Sequence, residues 1–185
     1  MRAIGNVNAL YPTPTTLVGA LVNDKPNFIT IAHIGIMTLH EISLGVNKAH
    51  YTNAGIKENE TFSVCIPSEA LMVETDYCGI VSGRKTDKSA LFDVFYGELN
   101  TAPMIRQCPV CMECRLVRTV DFANHDVFVG SIVQTYAQDD VLTNGKLDLV
   151  KVKPLLFDMN SMSYWALGRE LGKCWSVGKQ LKKGR

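Results

Sequence analysis

The sequence predicts an all-β fold with minor helices, built as a closed antiparallel barrel of six strands. Six runs rich in β-branched residues alternate between apolar and polar positions, and short breakers separate them. The chain has no regular alternation of strands with helices and no G-x-G-x-x-G loop, which argues against a doubly wound parallel sheet. Strands that are mostly polar on one side fit a barrel, because closure covers the core and removes the sheet edges.

The predicted elements follow in order along the chain. The strands are residues 17–22, 27–38, 41–47, 61–67, 112–122 and 127–136. Breakers such as Asn-Asp-Lys-Pro at 23–26 and Thr-Leu-His at 38–40 mark turns between them. A short polar-faced helix is predicted at 51–60, and a second helix at 69–81 has an apolar stripe of Ala70, Val73, Tyr77, Ile80 and Val81. The irregular segment 158–183 is expected to wrap around the barrel or a partner subunit.

Length and composition place limits on the function. With 185 residues, 46% hydrophobic and 20% charged, the chain is expected to form one globular domain, residues 1–185. A net charge of +1 with scattered Lys and Arg argues against nucleic acid as a partner. The first residues form no apolar signal region and no run is long enough to span a bilayer, so we expect a cytoplasmic protein without membrane contact. Its six cysteines are then expected to be reduced.

One candidate functional segment is the strand around residues 26–33. Thr30, Ile31 and Ala32 lie at strand spacing with small or apolar side chains, so their backbone could approach a flat aromatic ring closely. The alternative is an ordinary inward-facing strand. The segment is informative mainly because a second candidate, rich in hydrogen-bond donors, follows it closely along the chain.

That second segment supplies donors for an anion. Asn47, Lys48, His50 and Thr52 place four polar side chains within six residues, and a phosphate dianion needs several donors of this kind. Thr52 could also cap the helix that follows, whose positive end favours the same anion. The alternative is a solvated turn with a capping Thr. Together the two segments suit a planar aromatic cofactor with a phosphate at one end.

Five blocks in order along nearly the whole chain carry a resemblance to a known family. They are Tyr11-Pro12 with Leu17-Val18, Pro26 to Ala32, Asn47 to Thr52, Ser82-Gly83 with Asp87-Lys88, and Glu113-Cys114 with His125 to Gly130. The chain resembles the flavin reductase-like family of FMN-binding split barrels, and within it the flavoredoxin branch. The resemblance implies a six-stranded Greek-key split barrel, a homodimer, and FMN as the cofactor. It also implies that NAD(P)H or another donor reduces the flavin, which passes electrons to a small acceptor or a redox partner protein.

The resemblance also implies the residues of the site. The cofactor-binding residues would be Asn27, Thr30, Ile31, Ala32, His33, Asn47, Lys48, His50, Thr52, Ser82, Gly83 and Lys88. His33 stands where the family commonly has an aromatic residue, usually Trp, and would change the polarity at the flavin face. His125 would position the nicotinamide, because hydride transfer requires orientation more than an acid or a base. The alternatives are plain turn chemistry for the loop with Lys88 and a solvent-facing hairpin residue for His125.

The run Cys108-Pro-Val-Cys111-Met-Glu-Cys114 has the spacing of part of an iron–sulfur or zinc site. An iron–sulfur run would continue with a fourth cysteine, but the chain continues with Arg115, and we therefore predict no metal. Cysteines of a loop and a strand are the favoured interpretation, and a redox-sensitive thiol pair is the alternative.

The sequence therefore predicts an FMN-binding oxidoreductase, either an NAD(P)H-dependent flavin reductase or a flavoredoxin-like electron-transfer protein. One alternative is an FMN-binding electron carrier that a partner protein reduces and that has no nicotinamide activity. The other is a metal or iron–sulfur protein built on the cysteine cluster. The residues leave open whether the donor is NADH or NADPH, because the barrel has no acidic residue at a known offset to read the ribose.

Overall fold

A computed structural model describes residues 1–184 of the chain. The strands are β1 (Thr13–Pro14), β2 (Thr16–Val22), β3 (Lys25–Ile31), β4 (Ile34–Ile36), β5 (Glu41–Asn47), β6 (Thr61–Ile66), β7 (Val94–Phe95), β8 (Met104–Ile105), β9 (Val110–Asp121), β10 (His125–Ala137), β11 (Leu142–Thr143), β12 (Lys146–Leu147), β13 (Leu156–Asp158) and β14 (Ser163–Trp165). The helices are α1 (Thr52–Asn59), α2 (Met72–Ile80) and α3 (Leu149–Val152), with short 3-10 segments at Glu69–Leu71, Ser89–Leu91, Asp139–Val141 and Val177–Gly184.

The main sheet is antiparallel, with the strand order β3-β2-β6-β9-β10-β5-β4. The predicted strand 27–38 is divided, because the ladder ends at Ile31 and resumes at Ile34. Its first half, β3, pairs with β2 at one edge of the sheet, and its second half, β4, pairs with β5 at the other edge. One bent segment therefore joins the two edges. The prediction of an all-β barrel is confirmed, with the bend at Ala32 and His33 as the difference from the expected continuous strand.

Alternation along the strands explains which side of each strand is buried. In β5 the buried positions are Ile42, Leu44 and Val46, and the residues between them are partly exposed. They pack in one core cluster with Phe62 and Phe128, whose side chains are fully buried. Burying a side chain of this size contributes roughly 1.5–3 kcal/mol, so this apolar cluster holds the curved sheet together.

A second cluster lies on the other face of β2, β3, β6 and β9. It contains Leu17, Phe28, Cys65, Cys78, Met104, Ile105, Cys108 and Cys111. Elements outside the main sheet complete this cluster, because β8 contributes Met104 and α2 contributes Cys78. Strands β2, β3, β6 and β9 are therefore buried on both faces over part of their length, which explains the long runs of buried positions in β2 and β6.

Both predicted helices are present, with differences in detail. The N-cap of α1 is Tyr51, and no side-chain hydrogen bond caps this helix, so the predicted capping role of Thr52 is wrong. In α2 the buried residues are Thr75 and Cys78, whereas Val73 and Ile80 of the predicted apolar stripe are 72% and 73% exposed. The apolar stripe thus faces away from the barrel. No helix within residues 1–184 has the length and apolar character needed to cross a membrane.

The C-terminal part combines a packed segment with an exposed one. Strands β1, β13 and β14 form a separate three-stranded sheet, in which β13 lies between the other two. Beyond Trp165, Leu171 and Trp175 are 85% and 92% exposed. The predicted segment 158–183 therefore begins on the barrel and continues as an exposed arm. The side chains from residue 182 onward, and Arg185 as a whole, lie outside the described part of the chain.

Candidate functional site

A cleft of about 320 Å³ opens beside the bend between β3 and β4, and we call it the histidine cleft. It is lined by Thr15, Thr30, Ile31, Ala32, His33, Gly45, Asn47, His50, Gly79, His125, Phe157, Met159 and Tyr164. The cleft exists because the chain leaves the regular ladder at this bend. The amide of Gly45 donates to the carbonyl of His33 over 2.7 Å, which fixes the bend against β5.

A second cleft of about 220 Å³ adjoins the first and shares His50 and Gly79 with it. We call it the lysine cleft, and it is lined by Asn27, Ile29, Ala49, His50, Tyr51, Thr52, Gly79, Ile80, Val81, Ser82, Gly83 and Lys88. A third, outer cleft of about 340 Å³ shares Asn27, Tyr51, Gly83 and Lys88 with the lysine cleft. Its lining adds the cationic residues Lys25, Arg84 and Lys85. Through these shared residues the three clefts adjoin one another in one depression, whose outer part adds three cationic side chains and one carboxylate, Asp87.

The structure brings most of the predicted site residues together in this depression. The residues Thr30, Ile31, Ala32, His33, Asn47, His50 and His125 line the histidine cleft. The residues Asn27, His50, Thr52, Ser82, Gly83 and Lys88 line the lysine cleft. The exception is Lys48, whose Nζ lies 2.5 Å from a carboxylate oxygen of Asp121 on the neighbouring hairpin, outside these clefts.

Cross-strand pairing explains how the histidines meet. His125 begins β10 and is the register partner of Asn47 at the end of β5, so both reach the same end of the barrel. The rings of His33 and His125 lie 6.3 Å apart, centroid to centroid. His33 Nε2 is also 2.9 Å from the Tyr11 hydroxyl, and this hydrogen bond orients its ring. Two imidazoles therefore stand together at the mouth of the cleft.

His50 lies where the two clefts meet. Its pKa is lowered from the ordinary value of 6.5, first because the ring is partly buried and then because of the nearby charges of Lys88 and His125. At neutral pH the ring is therefore neutral, with one nitrogen as a donor and the other as an acceptor. A neutral imidazole at this position can bond to a polar group of a ligand without adding charge.

Thr15 lines the histidine cleft and carries a buried hydroxyl. The residue is 1% exposed, and its Oγ1 has no hydrogen-bond partner among the described residues. Its neighbour Thr16 differs, because the Thr16 hydroxyl donates to the carbonyl of Ile31 over 2.7 Å. Leaving a buried hydroxyl unpaired costs about 1–3 kcal/mol, so Thr15 is a candidate for contact with a bound polar ligand.

Lys88 places a buried cation in the lysine cleft. The residue is 3% exposed, and its ammonium donates to the carbonyls of Cys78 and Val81 at 3.0 and 3.1 Å. These carbonyls lie at the C-terminal end of α2, where the helix dipole favours a cation. Burial lowers the pKa of the amine. The ammonium has three donors, and within residues 1–184 no carboxylate forms an ion pair with it.

The rest of the lysine cleft provides neutral donors and close approach. Asn27 donates from Nδ2 to the hydroxyl of Thr52 over 2.6 Å, and this leaves the Thr52 proton available for a ligand. A side chain at Gly83 would collide with Asn27 Oδ1 and would lie 2.9 Å from the Tyr51 ring. A residue without a side chain is therefore required there, and the backbone of the loop can approach a bound group. The donor set of an ammonium, hydroxyls and backbone amides suits a phosphate.

Sequence reasoning did not place Thr15, Phe157 or Met159 in the site, in which Tyr164 also lies. The Tyr164 hydroxyl donates to Asp76 on α2 over 2.9 Å, and burial together with this bond raises its pKa to about 12. Phe157 packs between Tyr11 and Tyr164, with centroid distances of 6.2 and 5.8 Å. These aromatic residues form one wall of the cleft. Their contacts span most of the chain, so no local pattern could have predicted them.

Comparison with known proteins identifies the family. The model of the flavin reductase like domain matches residues 8–166 of the chain. The chain belongs to the flavin reductase-like family. Among solved structures, the flavin reductase-like chain is similar to the flavoredoxin from Methanosarcina acetivorans, with 44% identity, 98% of both chains covered and a TM-score of 0.93. It is also similar to the flavoredoxin of Desulfovibrio vulgaris (Miyazaki F), with 34% identity, 97% of this chain and 100% of that chain covered, and a TM-score of 0.91.

A curated relative is also similar to this chain. An uncharacterized protein of Archaeoglobus fulgidus is 32% identical over 152 residues, which are 80% of this chain and 85% of the relative. At lower identity, an FMN-binding protein from Thermus thermophilus is 20% identical over 94% of this chain, with a TM-score of 0.78. This last similarity supports the fold alone. The family and the fold predicted from the sequence are therefore both confirmed.

Proposed function

We propose that this flavin reductase-like protein binds FMN and acts as an oxidoreductase, with NAD(P)H as the electron donor and a small acceptor or a redox protein as the recipient. The observation that carries the proposal is the continuity of the clefts. A histidine cleft with an unpaired buried hydroxyl joins a lysine cleft with a buried ammonium. FMN is a planar ring system joined to a phosphate, and the order of these features along the depression matches its two ends.

The phosphate end of FMN would lie in the lysine cleft. Lys88 would supply the charge, and the hydroxyls of Thr52 and Ser82 would supply neutral hydrogen bonds. A phosphate next to Lys88 also gives the buried ammonium the counter-charge that the described residues do not provide. The same ammonium is already fixed by two carbonyls at the end of α2, so little conformational entropy is lost on binding.

The ring end would lie in the histidine cleft. The backbone of Thr30, Ile31 and Ala32 would run along the ring, and the Thr15 hydroxyl would bond to one of its polar edges. The bound flavin would supply the chemistry, since it accepts a hydride and releases electrons one or two at a time. His33 and His125, whose rings are 6.3 Å apart at the mouth of the cleft, would orient the nicotinamide. The aromatic wall of Phe157 and Tyr164 would exclude water.

The second candidate function is an electron carrier that binds FMN but does not react with nicotinamides. The similarity to two flavoredoxins over almost the whole chain supports this candidate. The test is an absorption spectrum of the purified protein, followed by anaerobic addition of NADH or NADPH. Loss of the flavin bands with either nucleotide supports the reductase, and persistence with both supports the carrier. A protein that takes up no FMN on reconstitution contradicts both candidates.

The proposal includes a homodimer. The outer face of α2 exposes Met72, Val73 and Ile80, and the C-terminal arm exposes Leu171 and Trp175. Such a large exposed apolar surface is typical of an interface. Sedimentation equilibrium should give twice the 20.5 kDa mass of one chain. Val73→Asp should shift the equilibrium toward the monomer, and a wild-type protein that stays monomeric at micromolar concentration would contradict this part of the proposal.

A further inference from the structure

Three cysteines that the flavin site does not use are gathered on the opposite side of β2 from the clefts. Cys65 lies on β6, Cys111 lies on β9, and Cys108 belongs to the turn that precedes β9. All three are free of disulfide bonds, are at most 3% exposed, and belong to the second core cluster. Cys114 is not part of this group, because it packs in the first core cluster on the other face of β9. The predicted run Cys108 to Cys114 is thus divided between two faces.

The pair Cys65 and Cys111 has the geometry that a disulfide requires. The two residues are direct register partners on adjacent antiparallel strands. Residues in such positions have Cα atoms about 4.5–5.5 Å apart, which lies inside the range of about 4.4–6.8 Å found in disulfides. Their side chains share one face because both belong to the second core cluster. A bond between their sulfur atoms is therefore compatible with the pairing of these two strands.

A cavity borders one member of this pair, Cys111. It measures about 300 Å³ and is lined by Phe95, Arg106, Cys108, Pro109, Cys111, Tyr136, Ala137, Gln138 and Asp139. Its rim is polar, since the guanidinium of Arg106 is exposed above the Phe95 ring and the Gln138 amide donates to the Arg106 carbonyl. The cavity shares no lining residue with the three clefts of the flavin site. It is a separate site of small-molecule size.

The thiol groups differ in their readiness to react. Burial alone would raise the pKa of Cys65, but hydrogen bonds from Cys108 and Cys111 hold it well below its ordinary value of 9.0. The pKa of Cys108 is raised, because its thiol proton is shared with Cys111 and Cys65. Within residues 1–184 no three His, Cys, Asp or Glu side chains are arranged to hold a metal ion. The hydrogen bonds among the three thiols place their sulfur atoms close enough together for thiol chemistry.

We propose that Cys65 and Cys111 form a second redox site, which exchanges two electrons with small polar disulfides that enter the cavity beside Cys108. In the first step the Cys111 thiol gives its proton to the Cys65 thiolate, the resulting Cys111 thiolate attacks a disulfide RSSR, and the S–S bond breaks as RS⁻ leaves and takes a proton from solvent. In the second step Cys65 loses its proton to solvent, its thiolate attacks Cys111 Sγ, and the second RS⁻ leaves and takes a proton from solvent. The disulfide is reduced to two RSH, and the two protein thiols are oxidised to one cross-strand disulfide.

The test starts from the reduced Cys174→Ser protein, because Cys174 is the exposed cysteine and would react with any disulfide. The protein is titrated with 2-hydroxyethyl disulfide under native conditions, the remaining thiols are alkylated, and peptides are mapped by mass spectrometry. The expected result is the loss of two of the five remaining thiols and a peptide cross-link between Cys65 and Cys111. Added dithiothreitol should restore both thiols.

Two variants separate the roles of the cysteines. In Cys65→Ser the reaction should stop at a mixed disulfide on Cys111, whereas in Cys114→Ser, the matched change on the other face of β9, the cross-link should still form. A Cys108–Cys111 link, or no loss of thiols in the folded protein together with full reaction in urea, would overturn the proposal. The map of the Cys174→Ser protein decides the matter even where a further variant folds poorly. The result does not depend on flavin binding, so it is independent of the proposed function.

Discussion

Thr30 and Cys111 lie three strands apart in one row of register partners, Thr30–Leu17–Cys65–Cys111, which crosses β3, β2, β6 and β9. At the Cys111 end the ladder is regular, with six consecutive pairs between β6 and β9, and its side chains are closely packed. At the Thr30 end the ladder stops one residue later, and the chain turns away to form β4. We call the paired and packed region around Cys111 the closed end of this row, and the region beside Thr30, where the pairing stops, the open end.

This difference shows how the barrel creates two unlike environments. Where the ladder breaks, backbone and side-chain polar groups such as the Thr15 hydroxyl lose their protein partners and become available to a ligand. Where the ladder continues, the pairing sets side chains against each other and places Cys65 opposite Cys111. The open end can bind a ligand that is larger than a side chain, and the closed end brings two thiols together beside a separate cavity.

The largest expected effect comes from filling the open end. In Gly83→Val the new side chain would collide with Asn27 and Tyr51 in the wall of the lysine cleft. Overpacking of this kind costs up to about 3 kcal/mol, so we expect FMN affinity to fall about 100-fold in a fluorescence titration. Gly168→Val is the control, because nothing lies within 4 Å of a Cβ at that position. Equal losses in both variants would contradict the role of the lysine cleft.

The next largest effect distinguishes Lys88 from Lys48, which the sequence analysis both assigned to cofactor binding. Lys88→Met removes the buried ammonium of the lysine cleft, and a charge-assisted hydrogen bond is worth about 1.5–3 kcal/mol. We expect FMN affinity to fall roughly 30-fold, which corresponds to about 2 kcal/mol. Lys48→Met removes an ion pair with Asp121 on the surface and should leave FMN affinity within about twofold. Isothermal titration calorimetry on both variants measures this, and a larger effect at Lys48 would reverse the assignment.

Two adjacent threonines test the unpaired hydroxyl. Thr16→Val removes a buried hydrogen bond to Ile31, so the free energy of unfolding should fall by about 1 kcal/mol. Thr15→Val removes a hydroxyl without a partner among the described residues, so stability should stay equal or rise, while FMN affinity falls about fivefold. Urea unfolding of the two apoproteins, together with FMN titration, provides the comparison. A stability loss in Thr15→Val as large as that in Thr16→Val would show that the hydroxyl has a protein partner.

The smallest effect concerns the pH dependence of stability. The pKa of His50 is lowered in the folded protein, so the unfolded chain binds the proton more tightly. The His50 contribution to stability is therefore complete above pH 6.5 and is lost as the pH falls from 6.5 toward the folded pKa, with a slope below about 1.4 kcal/mol per pH unit. His50→Gln should flatten the urea-unfolding stability between pH 7 and pH 5. An unchanged slope in the variant would assign the acid sensitivity to other groups.

The fold could be predicted from the sequence because alternation is a local property. Runs such as Glu41–Asn47 and Thr61–Ile66 show period two in a single stretch, and their strands appear within a residue or two of the expected bounds. The bend at His33 could not be predicted, since residues 27–38 read as one apolar run and only the pairing of its halves with β2 and β5 divides them. The same limit applies to the stripe of α2, whose period was correct and whose direction depends on tertiary packing.

The family resemblance predicted part of the grouping of residues in the candidate site. His50, Thr52 and Lys88 meet in the lysine cleft as the resemblance implied. The different place of Lys48 follows from Asp121, a partner 73 residues away that no local pattern reveals. Phe157 and Tyr164 reach the cleft through β13 and β14, which depend on pairing with β1 at the other end of the chain.

The most direct test of the account compares FMN with riboflavin, which has the same ring system and no phosphate. Wild-type apoprotein is titrated with each flavin, and binding is followed by quenching of flavin fluorescence. The account predicts that both bind and that FMN binds at least about 10-fold more tightly, because the phosphate meets the buried Lys88 ammonium and its neighbouring donors. Equal affinity for the two flavins, or no binding of either, would contradict the assignment of the lysine cleft to the phosphate.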